Sequence, residues 1–334
     1  MGPRTLQLAY SVLKPIIFGL NIDPEYTHKK AVELIKRTQD YVPVRYSSLQ
    51  VNLFAHHFFS PLLLAAGFDK NGLLIDHIRY FGFGCSVVGS VTAQQSRGND
   101  GPRLFRFPKE RALLNRLGLN NDGAEVIGER IEGKKEYIVN IAKTNNPDIQ
   151  GDEAIEDYVT SYHLLKHLGI YTEINISCPN TKDGKTFENP ENLCLLLNAL
   201  LAEGKERPLL LKISPNLEQE TLQGIVEVAD AKVDGYVATN TKQYQIGGLS
   251  GSPLKEWSLK SIRKLRILTT KPIVGVGGIF TGKDAYDALA AGADLLQAYT
   301  GFIYRGPLFA MKVAKELDSI LRNNGITHIS EIRN

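Results

Sequence analysis

The 334-residue chain predicts an α/β fold, a (β/α)8 TIM barrel with an N-terminal helical extension. Three observations predict it. Eight short apolar or β-branched runs recur along the sequence, which is the signature of strands. Helical stretches separate most of them, the rhythm of a parallel sheet. The eight units fill about 270 residues from Leu62 onward, close to the roughly 250 such barrels use. A doubly wound sheet is the competing layout. It ordinarily needs fewer strands, and no G-x-G-x-x-G follows the first one.

The elements follow in order. Residues 1–50 precede the barrel and read as helical. Leu6–Leu20 is largely apolar but contains Lys14 and Pro15. It is shorter than the roughly 20 apolar residues of a membrane span. No small-residue cleavage site follows it, and Leu6 stands where a myristoylation pattern needs Ser or Thr. It therefore reads as a helix packed on the domain or lying in a membrane interface. Asp23-Pro24-Glu25 opens a second helix with proline at its first position, and His28, Ala31, Val32, Leu34 and Ile35 give it an apolar stripe. Residues 51–334 form the barrel. Its strands are expected at Leu62–Ala66, Ser86–Val91, Tyr137–Ile141, Glu173–Ile176, Leu209–Ile213, Gly235–Thr239, Ile273–Val276 and Leu295–Tyr299. Helices are expected at Glu153–Leu168, Pro190–Ala202, Glu218–Ala229, Ser258–Leu265, Lys283–Ala291 and Pro307–Leu321. Ala93–Asn121 reads as a loop between strand and helix, and loops that long are uncommon unless functional.

Composition narrows the function classes. Apolar residues make up 43% and charged residues 22%, ordinary for a folded domain. A net charge of +3, without a block of like charges, argues against nucleic acid. Cys85, Cys178 and Cys194 show neither metal spacing nor a disulfide framework, which suits a reducing compartment. No Cys/His cluster is visible, so no metal is expected.

Barrel enzymes build their sites at the C-terminal ends of strands. Here those ends carry Lys70, Asn140, Asn175, Asn180, Lys212 and Asn240, amide and ammonium groups with only Asp69 to balance them. Any one could be an ordinary loop residue. As a set at an apolar barrel mouth they favour an anionic, carbonyl-rich ligand. Gly277-Gly278 and Thr300-Gly301 follow strands seven and eight, where barrels often bind phosphate against a helix N-terminus. Cys178 lies past the fourth strand, before a proline and between Asn175 and Asn180. Free cysteines are more often small buried hydrophobes. This location instead favours a general base or nucleophile. Strand alternation points neighbouring Ser177 the other way. Cys85 and Cys194 read as core. His56, His57, His77, His163 and His167 fall away from the mouth, with His28 and His328 near the ends, so a Ser-His-Asp hydrolase is disfavoured.

Seven segments together resemble the dihydroorotate dehydrogenase family. They are Ala65-Ala-Gly-Phe-Asp-Lys-Asn71, Gly98-Asn99 with Pro102-Arg-Leu-Phe-Arg106, Asn115-Arg-Leu-Gly-Leu-Asn-Asn121, Asn175-Ile-Ser-Cys-Pro-Asn-Thr181, Gly247-Gly-Leu-Ser-Gly251, Gly275-Val-Gly-Gly-Ile279 and Gln297-Ala-Tyr-Thr-Gly-Phe302. The Asp23–His28 helix resembles class 2, the membrane-associated, quinone-reducing branch. Cysteine at 178 is the class 1 habit, where class 2 usually has serine, and Lys182-Asp-Gly-Lys185 also departs from the class 2 pattern.

The resemblance implies FMN-dependent oxidation of dihydroorotate to orotate in de novo pyrimidine biosynthesis. Cys178 takes the C5 proton, the hydride goes to the flavin, and electrons pass to a quinone. It implies FMN contacts at Ala66, Gly67, Lys70, Ser90, Asn140, Asn175, Lys212, Thr239, Gly251, Gly278, Tyr299 and Thr300. It implies substrate contacts at Lys70, Asn115, Arg116, Leu117, Gly118, Leu119, Asn175, Asn180, Asn240 and Thr241. His28, Arg103 and Tyr299 are expected at the quinone site, reached between the two N-terminal helices. Residues 1–50 would then serve membrane contact and quinone access, making this a peripheral protein of the cytoplasmic face of the cell membrane or of the mitochondrial inner membrane. The alternatives are a soluble class 1-like enzyme using fumarate or NAD, a flavoenzyme reducing uridine in transfer RNA, and a phosphate-binding barrel isomerase or non-catalytic module. The N-terminal extension argues against the first, and the lack of a basic face against the second.

Overall fold

The computed structural model describes residues 2–177 and 186–333. The expectations for Cys178, Asn180 and Lys182-Asp-Gly-Lys185 lie outside the described residues.

Eight strands close into a parallel barrel in chain order: β1 (Leu62–Asp69), β2 (Ser86–Val91), β3 (Tyr137–Ile141), β4 (Thr172–Asn175), β5 (Leu209–Ile213), β6 (Gly235–Ala238), β7 (Ile273–Val276) and β8 (Leu295–Ala298), with β8 pairing back onto β1. Each coincides with one of the eight runs read from sequence. Strands buried on both faces read as near-continuous apolar runs, and β5, Leu-Leu-Leu-Lys-Ile, is buried throughout.

Around the barrel run α3 (Ile75–Ile78), α4 (Ala124–Ile131), α5 (Gly151–Leu165), α6 (Pro190–Ala202), α7 (Gln219–Ala229), α8 (Lys255–Leu268), α9 (Gly282–Ala290), α10 (Thr300–Arg305) and α11 (Phe309–Asn323). Six of these match expected helices. The single-turn α3 and the six-residue α10 are too short to display a helical period of their own, whereas the eight-residue α4 buries Ala124, Ile127 and Ile131 at helical spacing and was not singled out from sequence.

Ala93–Asn121 is not a plain loop. It contributes Leu104–Phe107 and Ala112–Asn115 to a four-stranded sheet outside the barrel, completed by Gly247–Gly251 and Lys242–Tyr244. At the opposite end, Val51–Leu53 pairs with His56–Phe58, and Phe58 packs into the barrel floor. His56 and His57 thus sit at the end remote from the mouth. Cys85 is core, but Cys194 is only partly buried, with Lys232 Nζ 3.8 Å from its sulfur.

Before the barrel lie α1 and α2, at Pro3–Gly19 and Pro24–Lys36. Pro24 takes the first helical position of α2. The Asp23 carboxylate accepts hydrogen bonds from Glu25 N at 2.7 Å and Tyr26 N at 2.9 Å, satisfying donors that a helix start leaves open. Helix α1 is held to the barrel by Lys14 Nζ donating to Tyr304 O at 2.6 Å, by Leu308 N donating to Gln7 Oε1 at 2.9 Å, and by the Tyr10 hydroxyl on Ile303 O. Its other face exposes Leu8, Val12, Ile16 and Leu20, a stripe at four-residue spacing. Among the described residues, no helix is long and apolar enough to cross a membrane.

Candidate active site

Alternation along the strands builds the site. Inward-facing residues recur every second position. Lowest in the barrel, Leu63, Cys85, Val87, Ile138, Tyr171, Leu210, Val237, Val274 and Leu295 form an apolar plug. Two positions further along, the inward set turns polar: Asn140, Glu173, Lys212, Thr239 and Gln297. Another two positions bring Asn175 and Tyr299. The change of polarity marks the floor of a cleft at the strand C-termini, enclosing about 1130 Å³ with its open solvent.

The structure brings together nearly all the residues singled out from sequence. Ala66, Gly67, Lys70, Ser90, Asn175, Lys212, Thr239, Gly251, Gly278, Tyr299 and Thr300 line the cleft, as do Asn115, Leu117, Gly118, Leu119, Asn240 and Thr241. Two do not. Asn140 lies beneath the lining, fully buried, with its Nδ2 donating to Glu173 Oε2 at 2.8 Å. Arg116 is outside the lining: it lies just past the strand that ends at Asn115, and its backbone N donates to Arg103 O at 2.8 Å. Gln297, Ser250, Leu104 and Leu113 line the cleft without having been assigned a role. Strand parity, continued upward from the apolar plug, is the signal that finds Gln297.

Hydrogen bonds fix the polar groups at the mouth. Asn240 Nδ2 donates to Asn175 Oδ1 at 3.1 Å and to Ser177 O at 3.0 Å, and Asn175 Nδ2 donates to Ser90 Oγ at 3.1 Å. Ser177 is buried, its hydroxyl donating to Lys212 O at 3.1 Å, which removes it as a rival base. Lys70 faces the cleft, and withdrawal from water pushes its ammonium down to about 8. Burial also pushes the Tyr299 hydroxyl up to about 12, so it stays protonated. The Asp69 carboxylate, like Glu25, opposes the fall at Lys70 only in part. It accepts from Leu73 N at 2.7 Å and Leu74 N at 2.8 Å and shapes the turn after β1.

A second, apolar cavity lies between the barrel and helices α1 and α2, enclosing about 1340 Å³. Leu6, Leu13 and Ile17 from α1, Ala31, Leu34 and Ile35 from α2, and Phe68 and Phe302 from the barrel side line it. His28 opens onto it and stacks edge-on against Phe68 at 4.8 Å. Tyr299, Leu104 and Leu113 line both cavities. Arg103 was expected here but is not part of the lining. Leu104 and Arg106 share the cavity-facing side of their strand, and Arg103 has the opposite parity. It forms a two-pronged ion pair with Glu25 of α2, at 2.9 and 2.6 Å. Arg106 is the arginine in the cavity wall.

A family model described as Dihydroorotate dehydrogenase matches residues 48–321. The chain belongs to the dihydroorotate dehydrogenase family. It is 36% identical over 347 residues to the dihydroorotate dehydrogenase (quinone) of Haloarcula marismortui, covering 96% of this chain and 97% of that protein. It is 36% identical over 372 residues to the protein of the same name from Trichodesmium erythraeum, with 98% of each covered. Among solved structures, DHODH from Eimeria tenella in complex with ferulenol superposes with a TM-score of 0.87 at 31% identity, covering 93% of this chain and 95% of that one. Its ligand-free form gives 0.86 at 32%, covering 93% and 98%.

Enzymes of this family are FMN oxidoreductases, and the residues present fit that cofactor. The lining supplies ammonium and amide donors suited to carbonyl and phosphate oxygens. Two glycines of the lining meet neighbouring backbone closely. A Cβ on Gly278 would lie 2.4 Å from Lys255 Cα, and one on Gly251 would lie 2.2 Å from Arg111 O, so neither position admits a side chain.

Proposed function

We propose that the protein oxidises dihydroorotate to orotate with FMN held in the barrel cleft, and that the electrons leave to a quinone housed in the apolar cavity under α1 and α2. The observation that carries this reading is the shared wall. Tyr299, Leu104 and Leu113 border both a polar cleft suited to an anionic ring and an apolar cavity suited to a greasy acceptor.

In this reading Lys70, Asn115, Asn175, Asn240 and Thr241, with Asn180, hold the substrate carboxylate and ring carbonyls. Leu117, Gly118 and Leu119 close over it. Lys212 and Thr239 serve the flavin ring, and Gly251, Gly278 and Thr300 its phosphate. When bound, FMN supplies the acceptor for the C6 hydride and the donor to the quinone. Cys178 takes the C5 proton, since a thiol near 8.5 ionises closer to working pH than a hydroxyl does. His28, Arg106 and Tyr299 border the quinone. The exposed stripe Leu8–Val12–Ile16–Leu20 favours peripheral seating of α1 in a membrane surface, at the cytoplasmic face of a cell membrane or at the mitochondrial inner membrane. The cysteine at 178 favours a second reading, a soluble enzyme using fumarate or NAD.

Deleting residues 1–40 separates the two cavities. The expected result is retained FMN and intact flavin reduction by dihydroorotate, with turnover on long-tailed quinones lost. Normal quinone turnover by the truncated protein would contradict the proposed route.

A further inference from the structure

Arg103 lines neither cavity, yet it is bonded to a wall of each. On one side its guanidinium grips Glu25 in the first turn of α2, Nε to Oε2 at 2.9 Å and Nη2 to Oε1 at 2.6 Å. The two side chains are only 16% and 21% exposed. A solvated ion pair holds little, but a sheltered two-pronged one fixes geometry as well as charge. Pro24, Tyr26, Thr27 and His28, the neighbours of Glu25 on α2, line the apolar cavity.

The third guanidinium nitrogen turns the other way. Arg103 Nη1 donates to Arg97 O at 2.7 Å and to Asn99 O at 2.9 Å. Gly98, between those carbonyls, is wedged against the cleft wall: an added Cβ would lie 2.7 Å from Arg103 Nη1 and 2.2 Å from Leu117 O, at a φ of +77° that favours glycine. Asn99 N donates to Leu117 O at 3.1 Å, and Asn99 Nδ2 to Arg116 O at 2.9 Å. Leu117, Gly118 and Leu119 then line the polar cleft. The path Glu25, Arg103, Asn99, Leu117 thus runs from α2 to the cleft, and each of its links is a hydrogen bond of 3.1 Å or less.

We propose that Arg103 is a positioning residue: through Glu25 and the 97–99 segment it couples the seating of α2 to the grip of Leu117–Leu119 on the substrate, so that each half of the reaction steadies the site of the other. The inference rests on the reading of the cleft as the dihydroorotate site. Charge runs the same way. Burial lowers the Lys70 ammonium most, Glu25 favours its charge and Arg103 opposes it, so the pair lies within electrostatic reach of a cleft residue. Coupling between two sites is reciprocal. A ligand of the cleft must therefore steady α2 by the same factor by which α2 steadies the cleft.

Orotate tests this, because in the proposed function it occupies the cleft and not the apolar cavity. The measurements on the flavin-loaded protein are hydrogen exchange of residues 24–36 with and without saturating orotate, and the orotate dissociation constant from the flavin spectrum. In the parent protein orotate is expected to slow that exchange about fivefold, the lower end of ordinary coupling between sites. In Glu25→Gln the slowing should vanish and the orotate dissociation constant should rise about fivefold, with FMN content unchanged. Arg103→Gln should behave alike, and adding Glu25→Gln to it should cost nothing further, since the two act through one contact. Glu25→Gln alone decides should Arg103→Gln not fold. A pair that merely anchors α2 would leave the orotate affinity unmoved and the orotate-induced slowing intact in Glu25→Gln, and either result would overturn the inference. Additive losses in the double variant would do the same. A parent protein that binds orotate without slowing α2 overturns the coupling alone, whereas one that binds no orotate overturns the reading of the cleft itself.

Discussion

Cys178 carries the proton chemistry of the proposed mechanism, and the serine before it and the amides of the mouth are committed to other partners. Ser177 is spent on the Lys212 carbonyl, and the Asn175 and Asn240 amides are tied to each other and to Ser90. In the proposed mechanism they orient the substrate, and an amide accepts no proton. Among the described residues no histidine lines the cleft. Replacing Cys178 with serine is expected to leave FMN content unchanged and to lower turnover at neutral pH on the order of 100-fold, the usual contribution of a positioned general base. Turnover at saturating dihydroorotate, normalised to bound flavin, checks this. An unchanged rate would remove Cys178 from the role. At this scale the sequence was informative where a residue ends a strand and uninformative where it lies deeper. Lys70, Asn175, Lys212 and Asn240 could be read from strand ends. The Glu173–Gln297 contact joins positions 124 residues apart, and a one-dimensional reading does not show which inward-facing residues meet across a barrel.

In the proposed route, helix α2 is the element on which quinone access turns, and His28 is expected to make its seating depend on pH. The imidazole is largely withdrawn from water, its Nδ1 is buried, and that burial, with Lys70 and Lys29 opposing and Glu25 favouring the charge, pushes its pKa down to about 3. A detached α2 would take up the proton near 6.5. A group whose seated pKa is depressed contributes its full stabilisation above the unfolded value and loses it as pH falls. The seating of α2 should therefore be complete above about pH 6.5 and weaken progressively toward pH 3. At about pH 4.5 the loss is on the order of 3 kcal/mol. Hydrogen-exchange protection of residues 24–36, corrected for intrinsic rates, is expected to fall more than about tenfold between neutral pH and that point. His28→Phe should abolish the dependence. An equal fall in both proteins would assign it to other groups. The elements also mark the limit of sequence reading. The eight strands and long amphipathic helices announce themselves by period. The outer strands Leu104–Phe107 and Ala112–Asn115 are four residues each, enclosed in a turn-rich segment, so their pairing was hidden. With it was hidden the parity that sends Arg106, and not Arg103, into the cavity wall.

On the scale of the whole molecule, the barrel mouth joins two environments that one chemistry requires side by side. The polar cleft is rich in amide and ammonium groups, which suit an anion. The apolar cavity, roofed by α1 and α2, adjoins it through Tyr299, Leu104 and Leu113. This juxtaposition was legible only in outline, because the cavity is formed by tertiary packing of the N-terminal helices and no single segment encodes it. It makes the central claim a claim about where electrons go. The most direct test is anaerobic: reduce the purified flavoprotein with dihydroorotate, then follow flavin reoxidation after adding a long-tailed quinone, fumarate or NAD in separate runs. Dihydroorotate is expected to bleach the flavin, and the quinone alone to restore it rapidly. Recovery with fumarate or NAD but not with the quinone, or a protein that carries no flavin to bleach, would contradict the claim.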